Sequence, residues 1–446
     1  MPKRILSAII TILICLNVCI PAYAFEPAGF TVSAEAGMLV SLDTGETLYE
    51  KNIDKKMYPA SLTKIMTVTL MLESPSFDPN AKVAMNAEVD RYITGTGSAV
   101  STLKAGEEIT QLDLLYYVLM SSAGDCAYLA AMTYGGTVEN FVDMMNEKAA
   151  QLGLSGTHYS NPVGLHSEDT YTTVRDVRTL TEYALKNETF ATACGSSRYK
   201  VAATNMSGER TLSTTNFMLD STTNYYYSYT TGVKTGFTNE AGRCLVSTAS
   251  YNGYNYLCIL MKCPTNTGRR EEFIESKELY RWAFNNFEYK KVADSINPVC
   301  EIEVELSFDT DHLPLYIEEG FVTVLPADAD TSTIKIEPHP TASSVDAPIK
   351  KGDRLGTADI IYAERVIGTV NLVARDNVKQ SGLLKVLRSV KRFFSSSGMK
   401  IVYCLIAAAV IVFIAAVIKM NSGRGKKRSR KVKYIPYDEK RENPRK

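Results

Sequence analysis

The sequence has no net charge and no tight cluster of metal-ligating residues. Lysine plus arginine and aspartate plus glutamate each total 49, a balance that hides a basic tail. Such a tail could suggest nucleic acid, but beside an apolar span it more simply reports topology, and no nucleic-acid partner is expected. Of the nine cysteines, Cys15 and Cys19 fall in the first apolar run and Cys404 in the last. Among the other six, Cys126, Cys194, Cys244, Cys258, Cys263 and Cys300, only Cys258 and Cys263 are near neighbours, with no second pair or histidine cluster to complete a zinc site. No metal site is expected. Scattered buried thiols are the expected state, with disulfides open to an exported chain.

Both ends of the chain address a membrane. Residues 1–24 combine Lys3 and Arg4, an apolar run over 5–20 and the small-x-small sequence Ala22-Tyr23-Ala24, the pattern of a secretory signal peptide cut before Phe25. Residues 401–418 form an uninterrupted apolar run of transmembrane length. The tail, residues 419–446, carries twelve lysines and arginines against three acidic residues. Positive flanks stay inside, so the tail is expected to be cytoplasmic and residues 25–400 extracytoplasmic. Beside a span, this charge reports topology and contact with anionic headgroups. In residues 379–400, Leu383, Leu387, Val390 and Phe394 lie at helical spacing, interleaved with Lys385, Arg388, Lys391 and Arg392. This amphipathic juxtamembrane segment reads equally as a surface-lying helix or a soluble spacer.

The exported part divides by texture. Apolar runs over 37–42 and 46–50 flank Asp43-Thr-Gly45 and predict a β-hairpin. Pro59 precedes an apolar segment over 61–73 that suits a buried helix starting close to Ser61. Residues 109–132 read as two helices broken by the polar turn Ser121-Ser-Ala-Gly-Asp125. Further helices are expected over 141–152, from Thr173 onward, and over 271–287 with Trp282 on the apolar side. Tyrosine-rich and β-branched runs over 225–229, 232–235, 243–249 and 255–261 predict neighbouring antiparallel strands. Residues 291–378 alternate short strands with glycine and proline turns, a small all-β module.

Ser61-Leu-Thr-Lys64 and Lys234-Thr-Gly236 carry the chemistry. Ser-x-x-Lys alone is weak, since it recurs at Ser101, Ser197, Ser332 and Ser397. Only Ser61 opens a buried helix. Serine and lysine three apart on one helix face each other across a turn, and an alcohol needs a base to become a nucleophile. Burial and a neighbouring cation, with Lys234 as the candidate, would lower the lysine pKa to suit that task. Lys234 and Thr235 in a strand can bind a carboxylate, while Gly236 lets a substrate backbone approach. His166 reads as a structural histidine in a turn, and Arg269 and Arg270 either lend positive charge near the site or, the favoured reading, cap a solvated helix.

Together with Ser122 in the interhelical turn, these residues resemble the serine penicillin-binding proteins and their β-lactamase relatives, and most closely the low-molecular-mass D-alanyl-D-alanine carboxypeptidases of peptidase family S11. The phrases that carry the resemblance are Tyr58-Pro-Ala-Ser-Leu-Thr-Lys-Ile-Met-Thr67, Ser160-Asn-Pro-Val-Gly-Leu-His166, Tyr171-Thr-Thr173 and Gly232-Val-Lys-Thr-Gly-Phe-Thr-Asn-Glu-Ala-Gly242. Ala347-Pro-Ile-Lys-Lys-Gly-Asp-Arg-Leu-Gly356 resembles the family's carboxy-terminal domain. The resemblance implies an α+β fold in which an antiparallel sheet packs between helices over residues 25–290, followed by the small β-rich domain at 291–378. It implies Ser61 as the acylated nucleophile, Lys64 as general base and Ser122 as proton relay. Lys234, Thr235, Gly236 and Phe237 would bind substrate, with the N–H groups of Ser61 and Phe237 as oxyanion hole. The implied substrate is a peptidoglycan stem peptide ending in D-Ala-D-Ala, β-lactams would acylate the same serine, and neither metal nor organic cofactor is called for.

One position departs from the pattern. The family's middle motif is Ser-x-Asn, but here Ser122-Ala-Gly124 puts glycine where the asparagine amide should stand. Losing one positioning hydrogen bond costs about one to two decades of rate. Slow turnover is therefore expected, unless Asp125 or Asn161 compensates. The alternative is a weakened, muropeptide-binding domain, and Gly124→Asn should raise D-Ala release if the missing amide limits the rate.

Overall fold

The computed structural model describes residues 27 and 29–424, with side chains as far as Asn421, so the signal segment at 1–24 and most of the basic tail lie outside the described residues. The chain divides into two compact units. The first runs to Asp294 and takes back Gly320–Glu337 and Asp359–Thr369; the second holds Ser295–Glu319, Pro338–Ala358 and the chain from Val370 onward.

The first unit is organised by a five-stranded antiparallel sheet. Strand β1 (Ala36–Ser41) turns through Asp43-Thr-Gly45 into β2 (Thr47–Lys51), as expected. Gly45 adopts a left-handed φ of 76°, which suits the residue without a Cβ. The other strands are β3 (Thr230–Thr238), β4 (Gly242–Tyr251) and β5 (Tyr254–Cys263), in the spatial order β2-β1-β5-β4-β3. Strand β3 is therefore an edge, with one side of its backbone free of sheet pairing.

Alternation along β4 and β5 buries both faces. Val246, Leu257, Ile259 and Met261 join one apolar cluster, while Leu245, Ala249, Tyr256, Cys258 and Leu260 join the other. On the first face lie helices α1 (Lys64–Glu73), α2 (Gln111–Leu119), α3 (Gly124–Gly135), α4 (Val138–Gln151) and α5 (Val174–Ala184). Helix α6 (Glu271–Asn286) covers the second with Phe273, Leu279, Tyr280 and Ala283. Its Trp282 meets Phe287 edge-on at 4.9 Å. This is the expected α+β arrangement of a sheet between helices. Helix α1 is buried from Lys64 through Met71, the state of a helix that is apolar nearly all round.

Two local expectations change. Ser61 lies in a 3₁₀ turn, Ala60–Thr63, one turn before α1 begins. Residues 225–229 do not form a strand. Their backbone bonds are local, such as Tyr227 N–H to Met218 O at 3.0 Å, and the tyrosines pack rings instead: Tyr227 stacks on Tyr280 at 6.2 Å and Tyr229 lies 4.3 Å from Tyr251. Burial of large rings against α6 outweighs the strand propensity of this run.

In the second unit, β6 (Pro298–Glu305) pairs antiparallel with β7 (His312–Ile317) and parallel with β8 (Ser344–Asp346). Ile302, Val304, Leu313, Leu315 and Ile317 are buried. Helix α7 (Gly382–Ser395) is capped by Ser381 and leaves Leu383, Val386, Leu387, Val390, Phe393 and Phe394 exposed. Helix α8 (Ser397–Arg424) contains a 25-residue apolar stretch, Ser397–Asn421, long enough to cross a bilayer and unburied by protein.

Candidate active site

Three chain segments far apart in sequence meet at Lys64. Its ammonium Nζ donates to Ser61 Oγ at 2.9 Å and to Val163 O at 2.8 Å. The side chain is 1% exposed. Burial drives its pKa down to about 7, opposed by the Asp125 carboxylate and by Cys126. Of the two causes expected from the sequence, burial and a neighbouring cation, burial is the one that lowers it. Lys234, equally buried, is pushed well below its ordinary value, first by burial and second by Lys64.

The Val163 carbonyl is held by the loop Asn161-Pro-Val-Gly164. Asn161 Oδ1 accepts from the N–H groups of Val163, Gly164 and Leu165 at 3.2, 2.8 and 3.0 Å, and its Nδ2 donates to Leu165 O. Gly164 closes the loop against the serine turn: a Cβ there would lie 1.7 Å from Ala60 O and 2.8 Å from Thr63 Oγ1, at a left-handed φ of 81°. Thr172 pins the approach to the serine through Met57 N–H to Thr172 O at 2.8 Å. Gly164→Ala combines left-handed strain with a backbone clash and is expected to cost at least about 2–3 kcal/mol. A thermal melt should show Tm lowered by at least about 5 °C; an unchanged Tm would contradict this packing.

Ser61 opens onto a cavity of about 860 Å³, also lined by Ser122, Thr215, Thr235, Gly236 and Phe237. Ser122 holds a left-handed φ of 56°, an uncommon backbone state at the start of the α3 turn. Thr235 Oγ1 lies 2.7 Å from Thr215 Oγ1. Lys234 sits beneath this wall and donates to Thr235 O at 2.9 Å. A Cβ on Gly236 would stand 3.1 Å from Pro59 O and 3.3 Å from Ser61 N, so this glycine lets β3 press against the serine turn.

Several side chains take places the sequence did not assign. Arg270 and Arg243 line the cavity and both pair with buried Glu272, at 2.5 and 3.8 Å. Arg270 also lies over Phe217 at 5.0 Å. It is therefore a wall of the site and not a solvated cap, while Arg269 pairs with Glu271 outside the lining. His166 stands exposed at the rim, its ring 4.6 Å from that of Tyr58. The two side chains expected to replace the missing amide are occupied elsewhere. Asp125 accepts from Ser101 N, Ser101 Oγ and Cys126 N, and Asn161 holds its own loop. Thr96, Gly97, Ser98 and Ala99, which the sequence reading passed over, form the cavity wall above Gly124. Their only sequence signal is the Gly-Thr-Gly-Ser run at 95–98.

A family profile described as D-alanyl-D-alanine carboxypeptidase matches residues 23–265. The chain belongs to the D-alanyl-D-alanine carboxypeptidase family. A second profile, the C-terminal domain of penicillin-binding protein 5, matches residues 287–380. Among relatives of this S11 carboxypeptidase, D-alanyl-D-alanine carboxypeptidase DacF of Bacillus subtilis is 26% identical over 86% of this chain and 97% of its own. The D-alanyl-D-alanine carboxypeptidase of Streptomyces sp. strain K15 is 33% identical over 50% and 78%. Penicillin-binding protein 5 from Haemophilus influenzae superimposes with a TM-score of 0.64 at 25% identity, covering 80% of this chain and all of that one. The comparisons give no support to the binding-only alternative.

Proposed function

We propose that this carboxypeptidase removes the terminal D-Ala from peptidoglycan stem peptides through an acyl-enzyme on Ser61. The observation that carries the reading is the 2.9 Å contact between Ser61 Oγ and an amine whose pKa burial has brought to about 7. Neutral Lys64 takes the Ser61 proton as Oγ attacks the carbonyl of the penultimate D-Ala. The N–H groups of Ser61 and Phe237 stabilise the oxyanion. The C–N bond then breaks, and Ser122 relays the proton to the departing amine of the last D-Ala. Water, activated by Lys64, hydrolyses the ester. Thr235 binds the terminal carboxylate, Arg270 supplies positive potential behind it, Lys234 positions Thr235 through its bond to Thr235 O, and Gly236 and Phe237 present the edge of β3 to the peptide backbone. A penicillin acylates the same serine, because its lactam offers the same carbonyl and carboxylate.

The same reading extends to the chain's ends. A signal peptide at 1–24 exports the penicillin-binding domain (25–290) and the β-rich domain (291–378). The helix over 401–418 anchors them in the cell membrane, leaving the basic tail inside. Helix α7 rests its apolar face on the outer leaflet.

Incubating the full-length enzyme with a pentapeptide ending in D-Ala-D-Ala should release one D-Ala per peptide. Absence of release from protein that a penicillin labels would overturn the carboxypeptidase assignment. The rate should also depend on pH with a definite sign. Only neutral Lys64 accepts the serine proton, so penicillin acylation should fall about tenfold per pH unit below about 7 and level off above it. A rate that is flat between pH 5 and 7 would contradict Lys64 as the base.

A further inference from the structure

Gly124 and the loop above it form one built unit. A Cβ on Gly124 would lie 2.4 Å from Ser98 Oγ, 2.8 Å from Ile93 Cδ1 and 3.3 Å from Ala99 O. The first atoms of an asparagine side chain at 124 would thus fall where the Ser98 hydroxyl now stands. The loop is tied to the start of α3 just after that point. Gly124 N–H donates to Ala99 O at 2.7 Å, and Asp125 receives Ser101 N at 2.9 Å and Ser101 Oγ at 2.5 Å. Ser98 lines the same cavity as Ser61 and Ser122. Its hydroxyl makes a bond of 3.4 Å to Ala99 O, long enough to be weak and readily exchanged for a better partner.

We infer that the Ser98 hydroxyl is a substrate-binding group that hydrogen-bonds the amide on the acyl side of the reacting carbonyl, in place of the side chain that Gly124 lacks. A hydroxyl both donates and accepts, as a carboxamide does, so it can serve an amide C=O or N–H. Glycine at 124 is then the condition for this contact, since any Cβ there displaces the hydroxyl. The inference rests on the acyl-transfer reading of the site. It reverses the sequence-based expectation for Gly124→Asn, which should weaken recognition of the substrate amide.

Two β-lactams of the same core separate recognition from folding: benzylpenicillin carries a side-chain amide beside the lactam, and 6-aminopenicillanic acid does not. With the full-length enzyme, Ser98→Ala should lower the acylation rate constant for benzylpenicillin about tenfold, the loss of one hydrogen bond to a reacting ligand, and change that for 6-aminopenicillanic acid less than about twofold. Ser98→Thr, which keeps the hydroxyl, should stay within about threefold of wild type for both compounds. Gly124→Asn should show the same selective loss as Ser98→Ala. In Ser98→Ala/Gly124→Asn the serine Oγ, the nearest obstacle, is gone, and the remaining close contact is the flexible end of Ile93, so the preference for benzylpenicillin should return. Equal losses for both lactams in Ser98→Ala, or no loss for either, would overturn the role of Ser98. A wild-type enzyme acylated by neither lactam would instead overturn the acyl-transfer reading itself, and this inference with it.

Discussion

Ser61→Ala is expected to abolish covalent labelling by penicillin and release of D-Ala, with Tm within a few degrees of wild type. The substitution removes one oxygen, whose hydrogen bond in the structure comes from Lys64 Nζ at 2.9 Å. Lys64 keeps its second acceptor, Val163 O at 2.8 Å, so the buried amine is not orphaned and the fold loses little. Catalysis loses the atom that forms the ester. A retained label would place the nucleophile elsewhere, and the other serines on the cavity wall, Ser98 and Ser122, would be the first to examine.

Lys64→Met should lower acylation by about 10²–10⁴-fold, the range for loss of a positioned general base. Methionine is close in volume and flexible enough to fill the space of a side chain that is only 1% exposed. Two terms then oppose each other in the stability. Replacing a buried amine with an apolar group removes a desolvation cost, while Val163 O loses its donor at a cost of about 1–3 kcal/mol. Tm should therefore move little as activity collapses. The acylation that remains should lose its dependence on pH near 7. A variant that keeps the wild-type pH profile would show that another group takes the serine proton.

Much of this was legible in the sequence because it is written locally. The tetrad at Ser61, the Lys234-Thr-Gly strand, the helical runs over 109–132 and the alternating strands of the sheet follow from spacing and periodicity, and the fold places them together as expected. Residues 225–229 misled because tyrosine favours both strands and packed ring clusters, and contact with α6 decides between them. The polar surroundings of the serine were hidden for another reason. The Val163 carbonyl reaches Lys64 across 99 positions, and Thr215 joins Thr235 across 20. Neither contact leaves a periodic trace. Gly124 is the sharpest case: the sequence shows a missing amide, and the fold shows a serine hydroxyl standing in its space.

The most direct test of the central claim is the mass of the penicillin-treated full-length enzyme after proteolysis. The account predicts a single adduct, equal in mass to one intact penicillin, on the peptide carrying Ser61-Leu-Thr-Lys64, and none in Ser61→Ala. An adduct on any other peptide, or unmodified Ser61 at saturating penicillin, would contradict it.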